Sequence, residues 1–439
     1  MKKVLILVYY WPPAGGGGVQ RWVKMSAYLK KMGWEPLIYT AEDADYPIID
    51  ESLIKEIDPE ITVIRRPIFE PRKVYQNLLG GKKQESKKKS SADEIFYLDP
   101  KQRSWKQNLS IWIRGNLFIP DARSFWIGPS FRFLKQYLKK HPVDAIITSG
   151  PPHSMHVIGL KLKRALGVNW VADFRDPWTQ IEYYDRLMLT GWADRKHKRL
   201  EKAVFQEADA IANVADYWNI RANEEGAQQA LTITNGYDTR DFQHEPPALS
   251  EKFLLLHAGT LANDRNPHTL WEVLEEMASE IPSFREDLRI EVIGKTDPIV
   301  LRKAEEAGLS ENLISGGYVD HPTAIRKMQA AQVLLLLIND VAFNALGRMT
   351  GKIFEYLAAK RPILLIGPVK GDAANVVRET QSGAVADFRD KSTLKSILQE
   401  YYRAYQAGNL QVNSQGIEQF SRESTAGKYA ELLTSISQT

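Results

Sequence analysis

Lys352 and Glu355 stand three residues apart in the run Gly347-Arg348-Met349-Thr350-Gly351-Lys352-Ile353-Phe354-Glu355-Tyr356-Leu357-Ala358-Ala359-Lys360-Arg361-Pro362. On a helix that spacing sets a cation and a carboxylate side by side on one face. Thr350 is a capping residue type, and Gly351 lets a ligand come close to the backbone. The amides of a first helical turn, together with Lys352, attract a phosphate or diphosphate. A carboxylate one turn later suits sugar hydroxyls, so the pair fits a nucleotide-sugar site. The same spacing also fits an ordinary Lys–Glu surface pair, and motifs of this length recur by chance.

Three other clusters could bear chemistry. Gly15, Gly16, Gly17 and Gly18 follow the apolar run Lys3–Tyr10 and precede an amphipathic stretch, Val19–Met32. A glycine loop at the end of a first strand brings backbone amides to a phosphate or sugar; a flexible loop is the plain alternative. The dinucleotide fingerprint is not matched, because its third glycine position, counted from Gly15, is Gln20, which disfavours a nicotinamide dehydrogenase. His153 follows Ser149-Gly150-Pro151-Pro152 and is placed to contact a sugar or an acceptor, or to serve as a structural histidine. It forms a His-x-x-His pair with His156, but no acidic third ligand stands nearby, so no metal is expected there. Asp173, Arg175 and Asp176 follow another strand, with Asp176 a candidate general base or acceptor contact. A buried carboxylate–arginine network holding the loop competes with that reading. Asp43-Ala44-Asp45 has metal-site spacing but lies in a polar stretch and reads as a solvated turn.

These clusters need a scaffold that presents strand ends. Lys3–Tyr10, Pro36–Thr40, Ile61–Arg65, Asp144–Thr148, Trp170–Ala172, Ala210–Asn213 and Leu231–Thr234 read as strands, with helices over Val19–Met32, Pro129–Lys140, Val157–Leu166 and Asp194–Ala208. The polar stretch Thr239–Ser250, with Pro246-Pro247, reads as a linker. A second series follows, with strands Phe253–His257, Leu288–Ile293, Leu313–Ser315, Val333–Ile338, Ile363–Ile366 and Ala384–Asp387 alternating with helices. The expected fold is α/β, two Rossmann-like doubly wound domains facing a central cleft. Residues 1–238 would form the first domain, 251–412 the second, and 413–439 a closing helical segment.

The length of 439 residues suggests two to three domains. Net charge is +4, yet Arg72–Lys106 holds ten Lys or Arg against four Asp or Glu, so this segment is +6 and the rest −2. The basic excess is local, and nucleic acid is not an expected partner. The pattern breaks between Pro67 and Phe118, where a polar basic insertion (about 70–106) lies among Tyr75, Phe96, Tyr97, Trp105, Trp112, Phe118, Phe125 and Trp126. Such interleaving suits an anionic membrane surface, or a solvated loop beside core aromatics. Cysteine is absent, which excludes disulfides and thiolate chemistry. The N-terminal apolar run reads as a buried strand rather than a signal peptide. No stretch reaches the ~20 apolar residues of a membrane span. A cytoplasmic protein, peripheral to a membrane at most, is expected.

Several motifs together resemble family-4-like glycosyltransferases. Asn235-Gly236-Tyr237-Asp238 is similar to their hinge motif, Gly259-Thr260 is similarly placed after the first strand of the second half, and Thr350–Pro362 resembles their donor-site helix. The glycine loop and Asp173–Trp178 also resemble members of the group. The resemblance runs nearly end to end and implies a GT-B fold, with the acceptor in the first domain and a nucleotide-diphospho-sugar mainly in the second. It implies a retaining, metal-free transferase without a resident cofactor, a glycan or lipid-linked acceptor, and a final helical segment crossing back to the first domain. It assigns Glu355 to the ribose, and to the diphosphate Lys352, the Gly351 amide and Arg265. Many members carry a second Glu eight residues before the ribose-binding one, where this chain has Gly347. That departure leaves the donor sugar open, and with it two rivals: a nucleotide-sugar epimerase on the same fold and a non-catalytic nucleotide-sugar-binding protein.

Overall fold

The computed structural model describes residues 1–69, 103–340 and 344–438. The chain divides into two compact units, Met1–Thr234 with Thr425–Thr439, and Asn235–Ser424. The first unit is built on a parallel sheet of β1 (Lys2–Leu7), β2 (Trp34–Glu42), β3 (Thr62–Pro67), β4 (Ala145–Gly150), β5 (Trp170–Phe174), β6 (Ala210–Asn213) and β7 (Ala230–Thr232). Their order is β3-β2-β1-β4-β5-β6-β7. Successive residues of a strand point to opposite faces: Val4 and Ile6 join one apolar core, Leu5 and Leu7 the other, all fully buried. Both faces are therefore covered, which is why β1 reads as an unbroken apolar run rather than an alternating one. The strand order reverses between β1 and β4, and the carboxyl ends beside such a switch point form a ligand crevice. The segments leaving those two ends carry Gly15–Gly18 and Gly150–His153.

The second unit repeats the plan with β8 (Phe253–Ala258), β9 (Leu288–Ile293), β10 (Leu313–Gly317), β11 (Val333–Leu337), β12 (Ile363–Ile366) and β13 (Gly383–Ala386), in the order β10-β9-β8-β11-β12-β13. Its switch point lies between β8 and β11. Here too the strands serve two cores, Leu335 and Leu337 on one side, Leu334 and Leu336 on the other. In the Asn235–Asp238 motif, Tyr237 N donates to Phe420 O (3.1 Å) and Tyr237 O accepts from Arg422 N (2.8 Å). A Cβ on Gly236 would stand 2.5 Å from Phe420 O, so this crossing of two backbones requires glycine. Helix Arg422–Ile436 ends the chain, and Ala426, Tyr429, Leu432, Leu433 and Ile436 complete the core of the first unit that holds Trp22 and Val23.

Some elements differ from the sequence reading. Helix Trp105–Leu117 lies where the pattern breaks; it opens on a capping box in which Ser104 Oγ accepts from Gln107 N and Gln107 Oε1 accepts from Ser104 N. Its aromatic stripe did not register as a core face because Trp105, Leu109 and Trp112 are 69%, 47% and 37% exposed. The next helix begins at Ser124, not Pro129, and carries Pro129 within it. Helices Pro282–Asp287 and Lys391–Gln406 were not assigned from sequence. Trp126, grouped with the candidate membrane aromatics, is instead buried and stacked on Tyr39 at 5.2 Å. Tyr75, Phe96, Tyr97 and the charges of Lys82–Lys89 lie outside the described residues.

Candidate functional site

In the second unit β8 ends at Ala258, and Gly259 turns the chain with φ +136°, a conformation that L side chains rarely adopt. Gly294, at φ +118°, packs on this turn so closely that any Cβ would overlap Gly259 O. Helix Lys352–Ala359 arrives beside it, and Lys352 Cγ lies 3.9 Å from where a Gly259 Cβ would stand. The inward face of that helix, Ile353, Phe354, Tyr356 and Leu357, is fully buried. Tyr356 hydroxyl accepts from Ala258 N (2.8 Å) and donates to Leu335 O (3.4 Å), tying the helix to β8 and β11. Lys352 and Glu355 are thereby fixed at the switch point, with Lys352 Nζ donating to Glu355 Oε2 at 2.6 Å and side chains 32% and 17% exposed.

Thr350 acts one residue upstream of the cap position: its Oγ1 accepts from Lys352 N at 3.2 Å, while Gly351 occupies the cap without a side-chain bond. A Cβ on Gly351 would meet nothing within 4 Å. Thr260 follows the Gly259 turn, and its carbonyl accepts from Arg265 Nη1 (3.4 Å). Arg265 Nε donates to Asn339 Oδ1 (2.8 Å), whose amide in turn donates to Asp264 Oδ2 (2.5 Å). Two histidines that the sequence reading did not mark as site residues belong to this neighbourhood. His257 is buried in β8, with Nδ1 3.0 Å from Leu335 O. Burial first, then the charges of Arg265 and Lys352, push it down to about 4, so both cations act on one ring. His321, 3.1 Å from Asp241, is pushed up by that carboxylate, and Glu355 also acts on it. Gly347 is buried at the end of a 3-10 turn, Ala345–Gly347, so no carboxylate is supplied from there.

In the first unit the four glycines have four different surroundings. A Cβ on Gly15 would stand 2.8 Å from Ile48 Cγ2; Gly16 adopts φ +106°; Gly17 has open space around it; and a Cβ on Gly18 would overlap the guanidinium of Arg175. Arg175 Nη2 also donates to Pro151 O, so the glycine loop, Arg175 and the segment before His153 are packed together. His153 is 8% exposed and lies parallel to Trp178, centroids 4.9 Å apart. Burial, His156, Arg175 and His197 hold it well below the ordinary histidine range. His156, 5.6 Å away, bonds Thr148 Oγ1 through Nδ1 (2.9 Å), and burial pushes it down to about 3. Two neutral imidazoles in an aromatic cluster can contact hydroxyls but are poorly placed on the pH scale to carry protons.

Asp176 follows Arg175 and its charge acts on that guanidinium. Asp173 is the hub of a buried network: Oδ1 accepts from Tyr429 OH (2.6 Å) and Arg21 Nη2 (3.2 Å), and Oδ2 from Ser149 Oγ (2.6 Å) and Trp22 Nε1 (3.2 Å). Arg21 also donates to Thr234 O and Ile233 O. For Asp173 the carboxylate–arginine network, not the base, is the reading the geometry supports.

No family model matches the chain, and no curated protein matches its sequence. Many solved structures match its fold. Among them are a sucrose-phosphate synthase from Thermosynechococcus elongatus (TM-score 0.63, 15% identity, 99% of each chain covered) and WaaG, a glycosyltransferase involved in lipopolysaccharide biosynthesis (0.57, 15%, 98% of this chain and 99% of that one). A third is a TarM variant from S. aureus in complex with fondaparinux, α-GlcNAc-glycerol and UDP (0.59, 13%, 99% and 100%). The fold is that of the GT-B glycosyltransferases: two doubly wound α/β units in succession.

Proposed function

We propose that the protein is a family-4-like glycosyltransferase that takes a sugar from a nucleotide-diphospho-sugar bound by the second unit and passes it to a surface-glycan or glycolipid acceptor bound by the first. The observation that carries this reading is the group at the second switch point. Lys352 and Arg265 supply two cations beside the Gly259 turn, and Glu355 supplies a carboxylate on the same helix face as Lys352. Cleaving a glycosyl–phosphate bond leaves a diphosphate that gains negative charge, and prepositioned cations stabilise that charge. The two cations supply the counter-charge a metal would otherwise bring, and the reading includes retention of anomeric configuration. The role of WaaG in lipopolysaccharide biosynthesis and the UDP bound by TarM support the choice of donor and acceptor class.

Gly347 favours one rival, a protein that binds a nucleotide sugar without turning it over. Incubation with a panel of nucleotide sugars, with and without glycan and glycolipid acceptors, separates the readings. Transfer or slow donor hydrolysis is the expected result. Epimerised sugar with released nucleotide would establish the epimerase, and saturable binding without any product would establish the binding protein.

A further inference from the structure

Outside Arg72–Lys106 the chain sums to −2, yet the fold does not spread that remainder evenly. Helices Ser124–Lys140, Ser154–Leu166 and Gly191–Glu207 pack side by side on one face of the first sheet, where Leu134, Ile158 and Val204 all enter the core that holds Leu5 and Leu7. Their outward sides therefore form one side of the unit. Together they hold twelve Lys or Arg against three Asp or Glu, in a chain that holds 58 against 54. None of the three carboxylates is available to the other cations: Glu207 is paired with Arg164, Asp194 with Lys198, and Glu201 is buried and accepts from Thr179 N (2.9 Å). Lys163 and Lys202 are paired with Asp209 and Glu225. The remaining eight of the twelve make no ion pair with any described residue, among them the exposed Arg132, Lys139, Lys140, Lys161, Arg195 and Arg199.

Apolar side chains border these cations. Lys135 and Lys161, from neighbouring helices, lie 5.7 and 5.8 Å from the Phe131 ring, and Lys196 lies 4.8 Å from the ring of Trp192, which is 57% exposed. Beside Trp192 stands the end of helix Trp105–Leu117, held there by Asn116: its Nδ2 donates to Met188 O (3.1 Å) and its Oδ1 accepts from Thr190 N (2.6 Å). That helix exposes Trp105, Leu109 and Leu117, and Met188 is exposed next to it. Apolar exposure rimmed by charge marks an interaction surface. Trp suits the headgroup level of a bilayer, and Lys and Arg are drawn to an anionic membrane surface. Leu109, Leu117 and Met188 offer nothing to a soluble polyanion, whereas acyl chains cover them. We propose that the outward sides of the three helices, with this apolar rim, form a docking face for an anionic lipid bilayer. The face is separate from the Arg72–Lys106 insertion and does not depend on the transferase reading.

Flotation of the full chain with phosphatidylcholine vesicles, with and without phosphatidylglycerol, tests this. The wild type is expected to float with the anionic vesicles alone and to be released as salt rises. The quadruple variant Lys139→Glu/Lys140→Glu/Arg195→Glu/Arg199→Glu, changed only at exposed positions, is expected to bind about tenfold more weakly or worse, and Trp192→Ala to weaken binding by a smaller factor. Should the quadruple variant fold poorly by circular dichroism, Arg195→Gln/Arg199→Gln gives the same reading with a smaller change. Replacing Lys82, Lys83, Lys87, Lys88 and Lys89 by Gln is expected to leave most of the binding in place. No binding by the wild type, undiminished binding by the folded helix variants, or loss of binding only in the Lys82–Lys89 variant overturns the proposal. If Trp192→Ala binds vesicles as the wild type does and heparin strips both from them, the face is a site for soluble polyanions, which also overturns it.

Discussion

Lys352 and Glu355 share a salt bridge in this structure, and a partly exposed pair of that kind contributes only about 0–1 kcal/mol. In the proposed donor site a ligand would displace it at little cost, Lys352 turning to phosphate and Glu355 to hydroxyls. The two should fail differently. Because charge builds on the diphosphate in the transition state, Lys352→Ala is expected to lower kcat by about 10²–10³-fold, whereas Glu355→Ala should chiefly raise KM; steady-state kinetics with a nucleotide sugar would check both. The buried histidines set a pH response. His156 and His257, at about 3 and about 4, are neutral in the fold, whereas an unfolded histidine titrates near 6.5. Between those values the unfolded chain binds more protons, so stability is complete above pH 6.5 and falls as pH drops toward 4. Thermal melts across that interval should show Tm falling; a flat profile would contradict neutral burial. Lys352 and Glu355 were legible in the sequence because helical spacing places them together. His257 and His321 were not, because their partners Leu335 and Asp241 lie 78 and 80 residues away.

The four-glycine loop shows how one element serves several constraints. Gly18 is required by the partly buried Arg175 guanidinium packed against it, whereas Gly17 opens helix Gly17–Lys31 with nothing within 4 Å of a Cβ. Gly18→Ala should therefore destabilise the protein by about 1–3 kcal/mol, the usual cost of overpacking, while Gly17→Ala should change stability by about 0.5 kcal/mol or less. Paired denaturant melts measure both. If Gly17→Ala nevertheless slows transfer, the loop acts on ligand; unchanged kinetics would confine it to packing. The strands were readable because parallel strands buried on both faces are continuous apolar runs, and Ala210–Asn213, Leu288–Ile293 and Ile363–Ile366 match their expected bounds. Helix Trp105–Leu117 was not, since its aromatic side is largely exposed and no sustained core stripe marks it.

Across the molecule, the order of motifs made two doubly wound units legible, but not the network that closes the first one. Asp173 stands out in the sequence as one candidate for a buried carboxylate–arginine network, but its partners Arg21 and Tyr429 come from the beginning and end of that unit and neither is conspicuous alone. Tyr429→Phe removes a hydroxyl from a buried carboxylate and should cost about 1.5–3 kcal/mol, seen as a lower Tm with donor affinity unchanged. Trp105, Leu109 and Trp112 lie exposed on one helix, with Lys106 5.8 Å from the Trp105 ring, a composition suited to anionic lipid. Vesicle sedimentation should therefore recover the protein with anionic but not neutral vesicles, and Trp105→Ala with Trp112→Ala should weaken recovery; no binding to either would confine this face to solvent. In the proposed transferase the helix beginning at Lys352 holds the nucleotide-sugar donor. Calorimetric titration of a nucleotide sugar into the wild type and into the Lys352→Ala/Glu355→Ala double variant tests it most directly. Saturable binding by the wild type and at least a hundredfold weakening in an equally stable double variant is the predicted result; the same affinity in both would contradict it.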